Sequence, residues 1–567
     1  VLAWSSPFGH AADSLYSVIP DDALAVGVVH DLADVDRSIG NLVELVQAPP
    51  VPTLLEMGEG LWGVYQGIDE HGDLAVVFVS TESAPRGLVV LPVADFDKFF
   101  GGLGVQAPEN GGIVEAEIQG RPAVVGRKNG YAVIEGTENR EVVETFLKSK
   151  ATLAADAPLT AWINANKASV VVTSHGMKAL LPKLIEGIEM MQKQMATVGG
   201  ENGRIAADMM NMYVAMFTAA QSEVAQFGVG VRIDPEQTVD ILSRMEFKPD
   251  GTWARRFADA TPCSDDLLAG VPDGSLVFAG GSIVPQGLMQ EMMELSVTMM
   301  QSQPTFKLTP EQAEKFVDLS TALMKGVRAI GMRMGAGTPD GGLYEDAAMV
   351  MKVDDSKQYL EAYEKSIDAM GMLAAESSSP LLPKARSRRI KLDDGDALEV
   401  TMEMPDLQAL MPAGAQNPHE MMKLFAGPDG TMKVYIAVAD ANTVIAAYTS
   451  PEKLKAAIDG YRSKEASLSK NPGVAKVSAA LPQGSQAVMF VSVNGYAGMM
   501  RKFMAAGPGG VPFTIPEIPE CSPVGMAVKA SPSGVETHFV VPADVPKAIA
   551  ETIMKLRAGG RPVPLDE

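Results

Sequence analysis

Two hexapeptides decide how this chain is read: Ile19-Pro20-Asp21-Asp22-Ala23-Leu24 and, 252 positions later, Val271-Pro272-Asp273-Gly274-Ser275-Leu276. Each opens an apolar strand that leads into a helix. Self-similarity of this kind fixes architecture before any local assignment does. Four further pairs follow in the same order. Leu91 to Phe100 matches Val350 to Leu360, and in both a strand ends at an Asp placed to N-cap the next helix. Gly130 to Ile134 leads through Thr137 into a helix over Arg140–Leu147. Asn442 to Ala446 leads through Thr449-Ser450 into one over Lys453–Tyr461. Val172 to Gly176 pairs with Val491 to Gly495, each before a helix. Val229 to Ile233 pairs with Val524 to Val528, each opening a hairpin. Five ordered landmarks predict an internal duplication with repeats over 13–260 and 268–557, a linker at 261–267 and a tail at 558–567. Leu481-Pro482-Gln483-Gly484-Ser485 adds a weaker copy of the opening motif.

Both hydrophobic periods occur within each repeat. Leu74, Val76, Val77, Phe78 and Val79 form a short apolar run, and Val434, Ile436 and Val438 alternate, as strands do. Spacings of three and four link Leu181, Leu184, Ile185, Ile188, Met191 and Met195 on one predicted helix. They link Phe316, Leu319, Leu323, Val327 and Ile330 on another, which a Thr309/Gln312 capping box starts. Asn129-Gly130, Asp250-Gly251 and Asp429-Gly430 read as hairpin turns. The expected fold class is therefore α+β: two similar halves, each a curved, mainly antiparallel sheet with helices packed on it.

Composition bounds the function. The chain has 567 residues, 46% hydrophobic and 21% charged, ordinary for globular protein of two to four domains. Forty-seven basic against 70 acidic residues leave a net charge of −23, which disfavours duplex nucleic acid and anionic lipid as partners. No apolar run reaches the ~18 residues of a transmembrane helix. Val1 to Ala12 reads as the tail of a signal peptide, with Gly9-His10-Ala11 as the small-x-small cleavage pattern. The expected location is periplasmic or extracellular in a bacterium. The two cysteines, Cys263 and Cys521, are compatible with one disulfide or with two free thiols.

Local catalytic motifs do not occur. There is no phosphate-binding Gly-x-x-x-x-Gly-Lys-Ser/Thr loop and no Gly-x-Ser-x-Gly elbow. Gly58, Gly60 and Gly63 match Gly-x-Gly-x-x-Gly, but a helix end precedes them and a strand-like Val64-Tyr65 follows. That is the reverse of a dinucleotide site, and predicts a glycine-rich turn. His419-Glu420 starts like a zinc-protease helix but Lys423 stands where the second His must be. The six histidines are scattered, so neither a catalytic nor a metal set is assigned and no cofactor is expected. Asp393, Asp394 and Asp396 around Gly395 form a weak calcium candidate without an EF-hand's spacing, and a solvated hairpin turn reads better. The basic run Lys384 to Arg389 joins them as one exposed, charged connection, either protease-sensitive or a dock for an acidic partner.

Methionine is the outlying composition, 34 residues concentrated at 190–216, 289–300 and 499–504. Met at helical spacing suits a core, an adaptable groove for a lipid or partner helix, or thioether copper(I) binding.

The recurring Leu/Val/Ile-Pro-x-x-Ser/Ala-Leu opener, the helix entries after Asp95 and Asp354, and the Gly130 to Ile134 strand resemble exported, planctomycete-type bacterial proteins of unknown function. The resemblance covers most of both repeats and implies an exported, duplicated α+β protein without assigning catalytic residues. The expected function is a non-enzymatic envelope protein with a binding, structural or assembly role, associating with itself or with envelope partners. A carrier of a lipid-like hydrophobic ligand and a hydrolase with a non-local site are the alternatives.

Overall fold

The computed structural model describes residues 14–62, 66–82, 84–198, 200–258, 267–284, 309–337, 342, 344–376, 384–392, 395–403, 431–463, 467–506 and 515–559. The chain divides into two compact units, residues 1–257 with 532–536, and residues 258–531 with 537–567.

The first unit holds β1 (Ala25–Val29), β2 (Leu74–Val79), β3 (Arg86–Pro92), β4 (Ile113–Ile118), β5 (Arg121–Lys128), β6 (Tyr131–Gly136), β7 (Ala168–Val172), β8 (Val224–Ile233) and β9 (Val239–Phe247). All pair antiparallel in the order β4-β5-β6-β3-β2-β1-β7-β8-β9. Its helices are α1 (Leu32–Leu45), α2 (Leu54–Trp62), α3 (Phe96–Gly102), α4 (Arg140–Lys148), α5 (Ala157–Asn164), α6 (Ser174–Val198), α7 (Gly200–Glu223) and α8 (Thr252–Arg256). Two separate cores explain the unbroken apolar runs in β5 and β6. Val124 and Val133 pack with Val143 and Phe146 of α4, whereas Val125 and Ile134 pack with Leu32, Phe99 and Phe100. A strand covered on both faces needs apolar residues at every position, not at alternate ones. The β4–β5 turn uses Gln119 and Gly120, both with positive φ, the geometry a two-residue hairpin requires.

Two sequence readings are corrected in this unit. Gly58 and Gly60 lie inside α2, not in a turn. Thr53 and Glu56 cap its start reciprocally, Glu56 N donating to Thr53 Oγ1 at 3.1 Å and Thr53 N to Glu56 Oε2 at 2.7 Å. Gly63, Val64 and Tyr65 lie outside the described residues. Asp250-Gly251 is not a hairpin turn either; it leads from β9 into α8.

The second unit holds β10 (Phe278–Ile283), β11 (Val327–Met334), β12 (Ala348–Val353), β13 (Lys384–Leu392), β14 (Gly395–Glu403), β15 (Thr431–Asp440), β16 (Thr443–Tyr448), β17 (Ala487–Val491), β18 (Val524–Ser531) and, from residue 537 on, β19 (Gly534–Val541). Nine of them pair antiparallel in the order β13-β14-β15-β16-β12-β11-β10-β17-β18. Its helices are α9 (Pro310–Met324), α10 (Ser356–Glu376), α11 (Pro451–Ser463), α12 (Pro472–Ala480), α13 (Val493–Ala506) and α14 (Asp544–Gly559). Antiparallel sheet with 14 helices among the described residues makes the chain mixed α+β, the class expected from its sequence.

The Thr309/Gln312 capping box is present at the start of α9. That helix stops at Met324, however, and Val327 and Ile330 belong to β11. Gly326, at φ +80°, takes the left-handed position that ends a helix, a signal that outweighs the continuing apolar spacing. The basic run from Lys384 is likewise a strand and not a connection. Pairing with β14 sets Arg388 opposite Glu399 and Lys391 opposite Asp396, so opposite charges face each other across the ladder. Asp429-Gly430 lies outside the described residues.

Candidate functional site

A cleft of about 350 Å³ opens in the second unit between α10, β13, β14, β15 and α11. Its apolar wall includes Leu392, Val438 and Ile458, and charged side chains line the rest. Asp355 starts α10 by accepting from the backbone N–H groups of Lys357 and Gln358, which fixes Lys357 in the first turn at the cleft. Arg389 reaches it from β13 and Arg462 from the last turn of α11. The Arg389 guanidinium is locked by Glu364, which accepts from Nε at 3.0 Å and from Nη2 at 2.6 Å. Asp396, the described member of the calcium candidate, also lines the cleft. Its carboxylate is paired with Lys391, and that hydrogen bond and charge hold it below the usual carboxylate range. Asp393 and Asp394 lie outside the described residues. Among the described residues no group of three or more His, Cys, Asp and Glu side chains could hold a metal ion.

A second polar cluster sits in the first unit. His30 directs Nδ1 at Asp73 Oδ2 (3.1 Å) and Nε2 at the Tyr16 hydroxyl (3.4 Å). The arrangement has the look of an acid–base relay. The hydroxyl, however, donates to Asn164 Oδ1 at 2.6 Å, and Tyr16 is only 4% exposed. Burial, reinforced by Asp73, pushes the phenol well above its ordinary range, so it stays neutral and occupied. The cluster ties the Leu15–Ser17 turn to β1 and α5; it presents no accessible nucleophile.

The Met-rich helices α6 and α7 form an antiparallel hairpin, with Gln192 Nε2 donating to Asn211 Oδ1 at 2.6 Å between them. Leu181 is buried at its base. Beyond that base Leu184, Met190, Met191, Tyr213 and Met216 are exposed, Met190 by 55%, while Ile185, Ile188, Val214 and Phe217 are half-buried. Leu184 and Met191, seven apart, share one face of α6, and Tyr213 and Met216, three apart, share one of α7. Met190, Met191 and Met216 are thus on the surface, whereas Met195 and Met210 are half-buried. Met499, Met500 and Met504 of α13 are half-buried, and Met289 to Met300 lie outside the described residues.

Cys521 is half-buried with its thiol free, and burial raises its pKa. Cys263, His419 and Val1 to Ala12 lie outside the described residues. Among the described residues no helix is long and apolar enough to cross a membrane. Of the cleft cations, the sequence names Arg389 only as the end of the basic run and does not single out Lys357 or Arg462, which stand 32 and 73 positions from it. The local signal was Lys384 to Leu392, where charged and apolar residues are interleaved as in an edge strand.

No family model matches this chain, and no curated protein does. Two crystal forms of a protein called TP0453 align with 52% of it. The first covers 98% of that protein at 8% identity and a TM-score of 0.22, the second 99% at 9% and 0.20. Similarity at that level carries no argument.

Proposed function

We propose that this chain is a non-enzymatic binding and assembly protein that associates with a second copy of itself through the α6–α7 hairpin. The observation that carries this reading is the exposure of large apolar side chains on both helices, Leu184 and Met191 on one face of α6 and Tyr213 and Met216 on one of α7, with Met190 exposed beside them. A 25-residue helix extends about 37 Å, and a two-helix hairpin with apolar side chains exposed on both helices has the parts of half a four-helix bundle. Met side chains adapt to such a contact. The hairpin carries both signs of charge (Lys183, Lys193, Glu186, Glu189), which suits self-pairing better than an anionic partner would suit a chain of net charge −23.

The same proposal holds the chain to be duplicated and exported. Duplication is supported by the two ladder orders, which correspond strand for strand from β4 and β14 inward, β13 being additional. It is supported again by matched local bonds. Leu153 N donates to Ile19 O at 2.9 Å, and Leu468 N to Val271 O at 2.8 Å. Asp95 N donates to Gly67 O, and Asp354 N to Gly326 O. Export rests on the Gly9-His10-Ala11 cleavage pattern, and cell fractionation tests it. The hydrolase alternative has the His30–Asp73 pair in its favour and the occupied, buried Tyr16 hydroxyl against it.

Sedimentation velocity across a concentration series tests the assembly. The expected result is a dimer that becomes monomeric in a Leu184→Glu, Met191→Glu, Met216→Glu variant with unchanged circular dichroism. A wild-type monomer at every concentration overturns it.

A further inference from the structure

We propose that the cleft between α10, the β13–β14 hairpin and α11 binds an organic anion with a short apolar body, a medium-chain carboxylate or an alkyl phosphate. A volume of about 350 Å³ lies at the lower end of what small-molecule sites enclose. The wall of Leu392, Val438 and Ile458 provides an apolar surface, and Lys357, Arg389 and Arg462 bring three cations to it. Two carboxylates, Glu361 and Asp396, also line the cleft, so its lining carries one net positive charge; Lys391 pairs with Asp396, and Glu364, outside the lining, pairs with Arg389. In a chain of net charge −23, a cleft with excess positive charge is set apart from its surroundings.

The donor geometry favours an oxyanion. Glu364 takes Nε and Nη2 of Arg389 and thereby fixes the guanidinium plane, so little rotamer freedom is left to lose on binding. Its Nη1 has no hydrogen bond among the described residues. The Lys357 ammonium has none there either. A carboxylate or phosphate head placed between them gains charge-assisted hydrogen bonds, while an alkyl body covers the apolar wall. The site belongs to the second unit because β13 builds it; among the described residues of the first unit the ladder ends at β4, and no strand occupies the place of β13.

This site is independent of the hairpin assembly and survives its failure. Calorimetric titration of the full chain with octanoate, octyl phosphate, inorganic phosphate and octanol tests it. Saturable one-site binding of octanoate or octyl phosphate is expected, and whichever binds tighter identifies the head group. Octanol and inorganic phosphate should bind at least about ten-fold more weakly, since each lacks one half of the recognition. A Lys357→Gln, Arg462→Gln variant changes two exposed side chains and should fold normally. It should weaken the preferred anion by about ten-fold. Absence of saturable binding, equal binding of octanol or of inorganic phosphate, or undiminished binding by the folded variant overturns the proposal.

Discussion

A Cβ built on Gly176 would stand 1.8 Å from the carbonyl oxygen of Leu24. The first turn of α6 thus passes directly over the residue before β1, and only a glycine permits the approach. Thr173 holds the two together, its N–H donating to Leu24 O at 3.1 Å and its hydroxyl accepting from Gly176 N. In the second unit Gly495 stands in the same relation to Leu276, at 1.9 Å.

Gly176→Ala should therefore destabilise the first unit by about 3 kcal/mol, the upper range for overpacking, because backbone and not a flexible side chain must move. Gly187→Ala, in the same helix with open space around it, should instead stabilise by about 0.5–1 kcal/mol. Urea denaturation of both variants compares them. Equal effects would contradict the close approach.

Lys128 is buried, and its ammonium donates to the carbonyls of Val18, Phe146 and Ser149 at 3.0, 3.0 and 3.2 Å. Lys128→Met should cost about 1–3 kcal/mol by leaving them unpaired. Burial lowers the amine's pKa in the folded state. Between that value and the ordinary lysine value the unfolded chain binds more protons, so this term makes stability rise with pH. The deficit of Lys128→Met should consequently be larger at pH 10 than at pH 7 in paired denaturant titrations. A deficit independent of pH counts against a desolvated amine.

Asp346 accepts from Lys453 Nζ at 2.8 Å and lies near the buried Arg333. Burial alone would raise its pKa. The Lys453 hydrogen bond and charge, with the Arg333 charge, outweigh burial and lower it. A depressed carboxylate stabilises above its ordinary pKa and loses that contribution as pH falls through the depressed one. Asp346→Asn should cost about 1–3 kcal/mol at pH 7, with the difference from wild type beginning to shrink below about pH 4 and vanishing only below the depressed value. Thermal unfolding in steps from pH 7 downward measures it, and a gap that does not shrink as pH falls below the ordinary carboxylate range refutes the assignment.

Thr309→Ala should destabilise α9 by about 1 kcal/mol, since Thr309 Oγ1 accepts from Gln312 N at 3.2 Å while Gln312 Oε1 accepts from Thr309 N at 3.0 Å. Hydrogen exchange should show faster opening of Glu311 to Phe316 with β10 unaffected. Uniform acceleration across the second unit would mean that the cap is not local.

Much of the local structure was legible because its causes are local. The Asp95 cap before α3, the Thr309 box, the Asn129 turn and the β6 strand each depend on residues within a few positions, whereas the cap before α10 is Asp355, one residue after the Asp354 entry that the repeat implies. Where two local signals compete, one prevails: Gly326 ends α9 against continuing apolar spacing, and the Thr53 cap carries α2 through Gly58 and Gly60. Tertiary structure decided the rest. Whether Met190 and Met216 face a core or solvent depends on what packs against α6 and α7, which their spacing does not encode. Periodicity records that a helix has an apolar side, not what covers it. Lys384 to Leu392 became a strand because β14 offers Glu399 and Asp396 in register. Lys357, Arg389 and Arg462 became neighbours because two helices and that strand meet at one end of a sheet. Pattern within a segment is fixed by its own covalent order, whereas the meeting of distant segments is fixed by the packing free energy of the folded chain.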